Sequence, residues 1–332
     1  MFKKILAASA AVLALALPLT GQARELRVSS FEPPMGFYSS KVLQAWIDET
    51  NPKFTGGTSL KLYAGSILGA APAQPELVKA GVADIALIVP TYTPGLFPLS
   101  GVVEVPGLVE TSADGTAILN SLSEQGMLDE EYRDYKILAL FSTPGYRFLM
   151  SGDGVSEPGQ LQGLKIRTPS PFGSELLSIL GASGVSIPAP QVYENLERHV
   201  VAGAVWVMDA YRTFRLDEVA PAVTSLRFTA SPMAILMNRA AYDSLPQEDR
   251  EVLDETAGRK LAEWIAGVVD ATDAEIEAAY RNGGKVKFID LDDDAVAVWR
   301  EALAAAPEKW IESQSDRDAA VKALDAAGNT RQ

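Results

Sequence analysis

Cysteine is absent from all 332 residues, and histidine occurs once, as His199. The first absence removes disulfides, thiolate chemistry, cysteine-bound zinc and a lipidated N-terminal cysteine. The second leaves no histidine-bearing zinc cluster and no HExxH helix. The chain also has no G-x-S-x-G elbow, no Walker loop and no dinucleotide fingerprint. Positive charge is scarce: 29 Lys and Arg stand against 43 Asp and Glu, for a formal charge of −14. A surface that acidic has no footprint for nucleic acid and is repelled by anionic membranes. Should the ligand be an anion, local arginines must overcome this overall field, which puts weight on each arginine in a cleft. Beyond the N-terminal segment, no stretch approaches the roughly 18 consecutive apolar residues of a membrane span.

The rest of the composition is that of a globular protein, 47% hydrophobic and 22% charged, long enough for two domains with cores of their own. The N-terminus reads as a secretory signal. Lys3 and Lys4 precede an apolar run from Ile5 to Leu17, then Pro18 and the small-residue site Gly21, Gln22, Ala23. Cleavage after Ala23 is expected, giving an exported chain that is not membrane-embedded and is more acidic by the two lost lysines.

Strand and helix patterns alternate from there. Glu25 to Phe31 has alternating apolar residues. Val42, Leu43, Trp46 and Ile47 share a helical face, and a second strand covers Ser59 to Ser66. A helix through Leu77, Val78 and Ala80 leads to Asp84–Pro90, a nearly continuous apolar run of the kind a buried parallel strand requires. This alternation indicates an α/β sheet. From Leu245 onward one long periodic segment begins with Pro246, Glu248 and Asp249 in its first turn. It carries Leu253, Ala257, Leu261, Trp264 and Val268 on one face and stops at Gly283 and Gly284. At about 1.5 Å per residue it would run on the order of 50 Å, longer than one lobe is wide. Asp292, Asp293 and Asp294 have metal-ligand residue types, but their place before a helix reads as a cap.

The stretch around which the chain is organised is Gly163 to Pro169, a turn and a short extended run that carries Arg167. The residue type alone leaves two readings open: a solvated arginine on a sheet edge, or a charge that faces an anion. Ser170, Pro171, Phe172 and Gly173 then open a helix, so Arg167 sits where a strand hands over to a helix, and ligands of α/β proteins bind in crevices at strand ends.

This region resembles the solute-binding subunit of tripartite ATP-independent periplasmic (TRAP) transporters, the DctP family. The match is residue by residue at Gly163, Leu164, Lys165, Ile166, Arg167, Leu180, Gly181, Ala182, Val185, Tyr193, Leu196, Val200, Val201 and Gly203. Flanking segments around Gly65 to Gly69, Leu77 to Leu87 and Thr91 to Leu108 extend it over nearly the whole mature chain. The resemblance implies a two-lobe fold of the periplasmic-binding-protein kind, type II-like, with the long helix spanning both lobes. Lobe 1 would comprise 24–145 plus about 234–268, and lobe 2 about 146–233 plus 269–332. It implies that Arg167 clamps a substrate carboxylate, with Arg147 and Ser170 assisting and Trp206 lining the pocket. As bare residue types, Arg147 reads as surface or structural before ligand-binding, and Trp206 as core. His199 and Ala202 depart from the family, standing where it has glycine and aspartate.

Members that take sugar acids carry polar residues where this chain has Ala70, Val89, Ala189 and Trp206. With Phe31, Phe37 and Tyr92 also candidates for the wall, the resemblance implies a monocarboxylate with an apolar or aromatic body. The implied partners are the small and large membrane subunits of a permease. No catalytic residue, cofactor or metal is expected. The alternatives are an ABC-type binding protein or ligand sensor of similar architecture and an exported hydrolase working with carboxylates, for which the sequence offers no paired acids.

Overall fold

The computed structural model describes residues 24–330, so the expected signal segment, 1–23, lies outside the described residues. Two mixed sheets organise the chain. The first has the order β2-β1-β3-β10-β4, built from β1 (Arg24–Ser29), β2 (Thr58–Tyr63), β3 (Ile85–Ile88), β4 (Tyr135–Ser142) and β10 (Pro232–Asn238). The second has the order β11-β9-β5-β8-β6-β7. Its strands are β5 (Arg147–Met150), β6 (Lys165–Thr168), β7 (Ser183–Ser186), β8 (Gly203–Trp206), β9 (Ala222–Thr224) and β11 (Lys287–Ile289). In the first sheet β1, β2 and β3 run parallel while β10 pairs antiparallel with β3 and β4. The parallel trio β7-β6-β8 forms one side of the second sheet. β3 is buried along its whole length, as its unbroken apolar run requires.

The chain passes between the sheets from β4 to β5 and returns from β9 to β10. These two crossings pair with one another. Thr143 N–H donates to the Ser231 carbonyl at 3.0 Å, Tyr146 N–H to Thr229 at 2.6 Å, and Phe228 N–H back to Tyr146 at 2.9 Å. A double connection of this kind bends more readily than it shears, the geometry of a hinge.

Helices cover the sheets. α1 (Ser112–Glu124) packs on β4, with Thr111 and Asp114 forming a reciprocal cap at its start. α2 (Pro171–Ile179) follows β6 and lies on β7, and α3 (Met208–Thr213) follows β8 directly. The expected long helix is present but bent, as α4 (Gln247–Thr256) and α5 (Gly258–Gly283). The break falls at Ala257, whose backbone is extended, and Gly258, whose φ of +71° favours glycine. α5 alone spans about 39 Å and touches β4 and α1 of the first lobe and α3 of the second, so it serves as the spine. Its buried face is Leu261, Ile265, Val269, Asp273 and Ile276, while Trp264, expected on that face, is 41% exposed. The helical bend rotates the stripe away from the register that a continuous helix would keep.

The C-terminal helix corrects the expectation that residues 269–332 stay with the second lobe. α6 (Arg317–Thr330) returns to the first, against α1 and the turn Leu99–Glu104, because its buried Ala320, Ala323 and Ala327 let the backbones approach closely. Asp292 caps the helix Asp293–Ala302, accepting from Ala295 N–H at 2.9 Å.

His199 closes the helix Val192–Glu197 with φ +54°, and Val200 N–H reaches back to the Asn195 carbonyl at 2.9 Å. This left-handed position is one where glycine is usual and a side chain costs on the order of 1 kcal/mol. The departure from the family pattern at His199 therefore carries strain. We expect His199→Gly to raise the unfolding free energy in urea by up to about 1 kcal/mol; a lower midpoint would show that the imidazole contributes something the backbone geometry does not reveal.

Candidate functional site

Arg167 stands near the C-terminal end of β6, between β7 and β8, in register with Val185 and Ala204. Its side chain is fully buried. Nε donates to the Ile187 carbonyl at 2.8 Å, Nη1 to Val205 at 3.3 Å and Nη2 to the Tyr92 hydroxyl at 3.4 Å, and the guanidinium lies 4.3 Å above the Trp206 ring. Every one of these partners is neutral. Among the described residues Arg167 forms no ion pair, and two of its five N–H groups have no protein acceptor. Burial accordingly pushes its pKa below the usual arginine value, with the nearby Tyr92 and Tyr146 hydroxyls opposing. The group remains charged.

Tyr92 belongs to the first lobe, just after β3, and reaches across to the second. Its hydroxyl accepts from Ala189 N–H at 2.9 Å as well as from Arg167. With both roles those of acceptor, its own proton is left for a further acceptor. The cavity between the lobes is lined by Tyr92, Phe31, Val89 and Ala189, by Trp206 and Phe214, and by Met233. Trp206 and Phe214 stack with centroids 5.2 Å apart and planes at 20°. The cavity is narrow, about 30 Å³, far below the several hundred Å³ common for ligand pockets. A ring-sized molecule therefore enters only as the lobes part, and Arg167 is reached behind Tyr92 and Trp206 and not from an open wall.

Of the residues singled out in the sequence, Phe31, Val89, Tyr92, Ala189 and Trp206 line this cavity, and Arg167 touches two of them. Phe37 does not line it; its ring lies behind, edge-on to Tyr38 at 5.0 Å. Ala70 is exposed and elsewhere. Ser170 caps α2, accepting from Gly173 N–H at 2.9 Å, and faces a separate groove beside Glu104 and Trp310. Burial pushes Glu104 up to about 8, against a Ser170 hydrogen bond that lowers it.

Arg147 is also outside the cavity lining, and its partners are acids. It forms a fork with Asp273 of α5, at 3.1 and 2.8 Å, and pairs with Glu277. Asp273 also accepts from Arg227 at 3.2 Å and from Met208 N–H at 3.1 Å. Burial alone would raise Asp273, but the Arg147 and Arg227 charges and these hydrogen bonds hold it below 3.8. The expected ligand contact of Arg147 thus gives way to an ion pair fastening the start of the second lobe to the spine. One turn earlier on α5, Asp270 accepts from Ser112 and Ala113 N–H at the start of α1. Neighbouring acids on one helix hold both lobes.

Sequence reasoning missed Glu32, Tyr38, Tyr146 and Asp209, all of which line the cavity. The available signal for Asp209 is that it is the lone charge in the apolar run Ala204–Ala210.

The profile of the DctP family, bacterial extracellular solute-binding protein family 7, matches residues 32–314. The chain belongs to this family. Its fold is close to that of a marine metagenome TRAP solute-binding protein from an unidentified microbe, specific for aromatic acid ligands and solved with 3-hydroxybenzoate. That match has TM-score 0.87 and 26% identity, covering 92% of this chain and 97% of the other. A TRAP solute-binding protein from Rhodoferax ferrireducens, solved with copurified benzoate, aligns with TM-score 0.86 at 24% identity, over 92% and 97%. The 2,3-diketo-L-gulonate-binding periplasmic protein of Escherichia coli is 25% identical over 72% of this chain and 74% of its own. This DctP-family chain is thus a TRAP solute-binding protein, of a family and fold that serve transport, and no helix among its described residues is long and apolar enough to cross a membrane.

Replacing one member of a buried pair while leaving the other costs about 3–5 kcal/mol. Asp273→Asn should therefore lower the unfolding free energy by roughly that amount at neutral pH. Because the folded carboxyl is held below its unfolded value of 3.8, this contribution is complete above pH 3.8 and lost as pH falls through the folded pKa. The wild-type and variant urea midpoints should converge in acid; equal midpoints at pH 7 would dismiss the node.

Proposed function

We propose that this protein binds a monocarboxylate with an aromatic or apolar body in the cleft between its lobes, through Arg167, and delivers it to the membrane subunits of a TRAP permease. The observation that carries this reading is a fully buried guanidinium held only by neutral acceptors. A carboxylate would take its two remaining N–H groups and the Tyr92 proton, each charge-assisted bond contributing about 1.5–3 kcal/mol. Phe31, Trp206, Phe214 and Met233 supply an apolar wall for a ring, and the relative from the marine metagenome takes 3-hydroxybenzoate.

Closure follows from the same charge. With the lobes apart, Arg167 and Tyr92 are hydrated; with them shut on an anion, the charge is paired in a dry site, so the ligand favours the shut form by its differential interaction. The closed surface is what the small and large permease subunits would read. We assign the chain to the periplasm, with residues 1–23 as the cleaved export signal. In this reading it is a binding protein and not an enzyme, in keeping with a family and fold that serve transport.

Calorimetry with benzoate and 3-hydroxybenzoate tests the proposal. Arg167→Leu should abolish detectable binding, and Arg167→Lys, which keeps the charge but loses the fork, should weaken it at least about tenfold. Ligand-free Arg167→Leu should melt no lower than wild type, because no acid is left stranded. Unchanged affinity in Arg167→Leu removes the arginine from the site, and binding confined to polyhydroxylated acids removes the aromatic body.

A further inference from the structure

Asp209 opens α3 immediately after β8, is 1% exposed, and has both carboxyl oxygens without a hydrogen-bond partner among the described residues. The amides of Asp209 and Ala210 lie close by, yet none meets the oxygens with hydrogen-bond geometry. Beside it is Glu32, 2% exposed, whose Oε2 accepts from Tyr38 N–H at 2.7 Å and Ser39 N–H at 3.3 Å. The Tyr38 hydroxyl is likewise buried without a partner. All three line the cavity that Tyr92 and Trp206 line. Folded proteins seldom leave a buried carboxyl and a buried phenol unsatisfied, and each such case calls for a reason.

Arg167 would be the obvious partner for these acids, but among the described residues no ion pair joins it to either. Two buried acids thus line the cavity and a buried cation stands behind its Tyr92 and Trp206, with no ion pair between them among the described residues. A molecule that bridges them needs an anionic group for the arginine and a polar hydrogen for the acids.

We infer that Asp209, with Glu32 and Tyr38, forms a second recognition point of this cavity, taking an O–H or N–H donor on the ligand edge remote from its carboxylate. This deepens the reading given above and rests on its carboxylate clamp. The ligand class narrows from apolar-bodied acids to ring acids bearing a hydroxyl or an amine. Burial, then the neighbouring Glu32 and Asp273, push Asp209 well above the ordinary aspartate value, and burial raises Glu32 to about 7. A protonated carboxyl both donates and accepts, which matches a hydroxyl group. Asp209 has apolar chain neighbours, Met208 and Ala210, so its carboxyl is the ionisable group that the start of α3 brings to the cavity.

Calorimetric affinities of wild-type protein for benzoate, 3-methylbenzoate, 3-hydroxybenzoate and 3-(aminomethyl)benzoate test the inference. The hydroxyl or the ammonium compound should bind at least tenfold more tightly than the methyl compound of matching size, since a site with buried polar groups rejects an analogue that leaves them unpaired. Preference for the hydroxyl identifies a neutral acid pair, and preference for the ammonium an ionised one. In Asp209→Leu that ratio should fall towards one, and in Asp209→Asn it should fall less, with melting curves verifying that both variants fold. A wild-type ratio near one, or a ratio that survives Asp209→Leu, overturns the second recognition point while leaving the Arg167 clamp intact. Failure of all four carboxylates to bind overturns both.

Discussion

A guanidinium buried from solvent, with no ion pair among the described residues, is the constraint on which the rest of this molecule turns. Arg167 is held by the Ile187 and Val205 carbonyls and the Tyr92 hydroxyl, which fix its direction without neutralising it. The Ile187 carbonyl lies just past β7 and the Val205 carbonyl near the end of β8, at the C-terminal edge of the parallel trio where ligand crevices of α/β sheets form. The cost of the uncompensated charge is carried by the remainder of the fold. In our reading that cost is relieved by the ligand, which makes binding and closure a single event.

Closure needs a joint that bends in one direction only. The crossings at Thr143–Tyr146 and Phe228–Ser231 pair with each other, and α5 runs alongside them. Asp270 grips the first lobe at α1 and Asp273 grips the second through Arg147, Arg227 and Met208. These contacts lie on either side of the hinge, whereas the described hydrogen bonds that reach across the cleft are few, from Arg167 and Ala189 to Tyr92 and from Phe37 to Thr213. Rigid bodies with a weak seam are what a two-state binding protein requires.

Arg147 and Arg167 show the two fates of a buried arginine in one chain. Arg147 opens β5 and Arg167 lies in β6, and the family resemblance made both candidates for an anion. Arg147 found Asp273 and Glu277, some 130 residues further on, and such a pairing leaves no local trace. Trp264 shows the same limit, since a bend at Ala257 and Gly258 decides which face of the following helix is buried. Asp209 shows it again: the apolar run Ala204–Ala210 leaves strand after Trp206 for a helix whose first turn brings a carboxyl to the cavity.

The sequence by itself determined the alternating α/β plan, the spine helix, the family pattern around Gly163–Gly203 and the apolar character of Phe31, Val89, Tyr92 and Trp206. Those follow from local periodicity and from residue types whose hydrophobicity travels with them wherever they fold. Only the tertiary structure decided which charges meet. It gave Arg147 its acids, withheld any from Arg167, turned Ser170 to a separate groove, and brought Glu32 beside Asp209. The reason is that a charge has no preferred neighbour along the chain: its partner is whichever group the packing of distant segments delivers within about 4 Å, and periodicity carries no information about that distance.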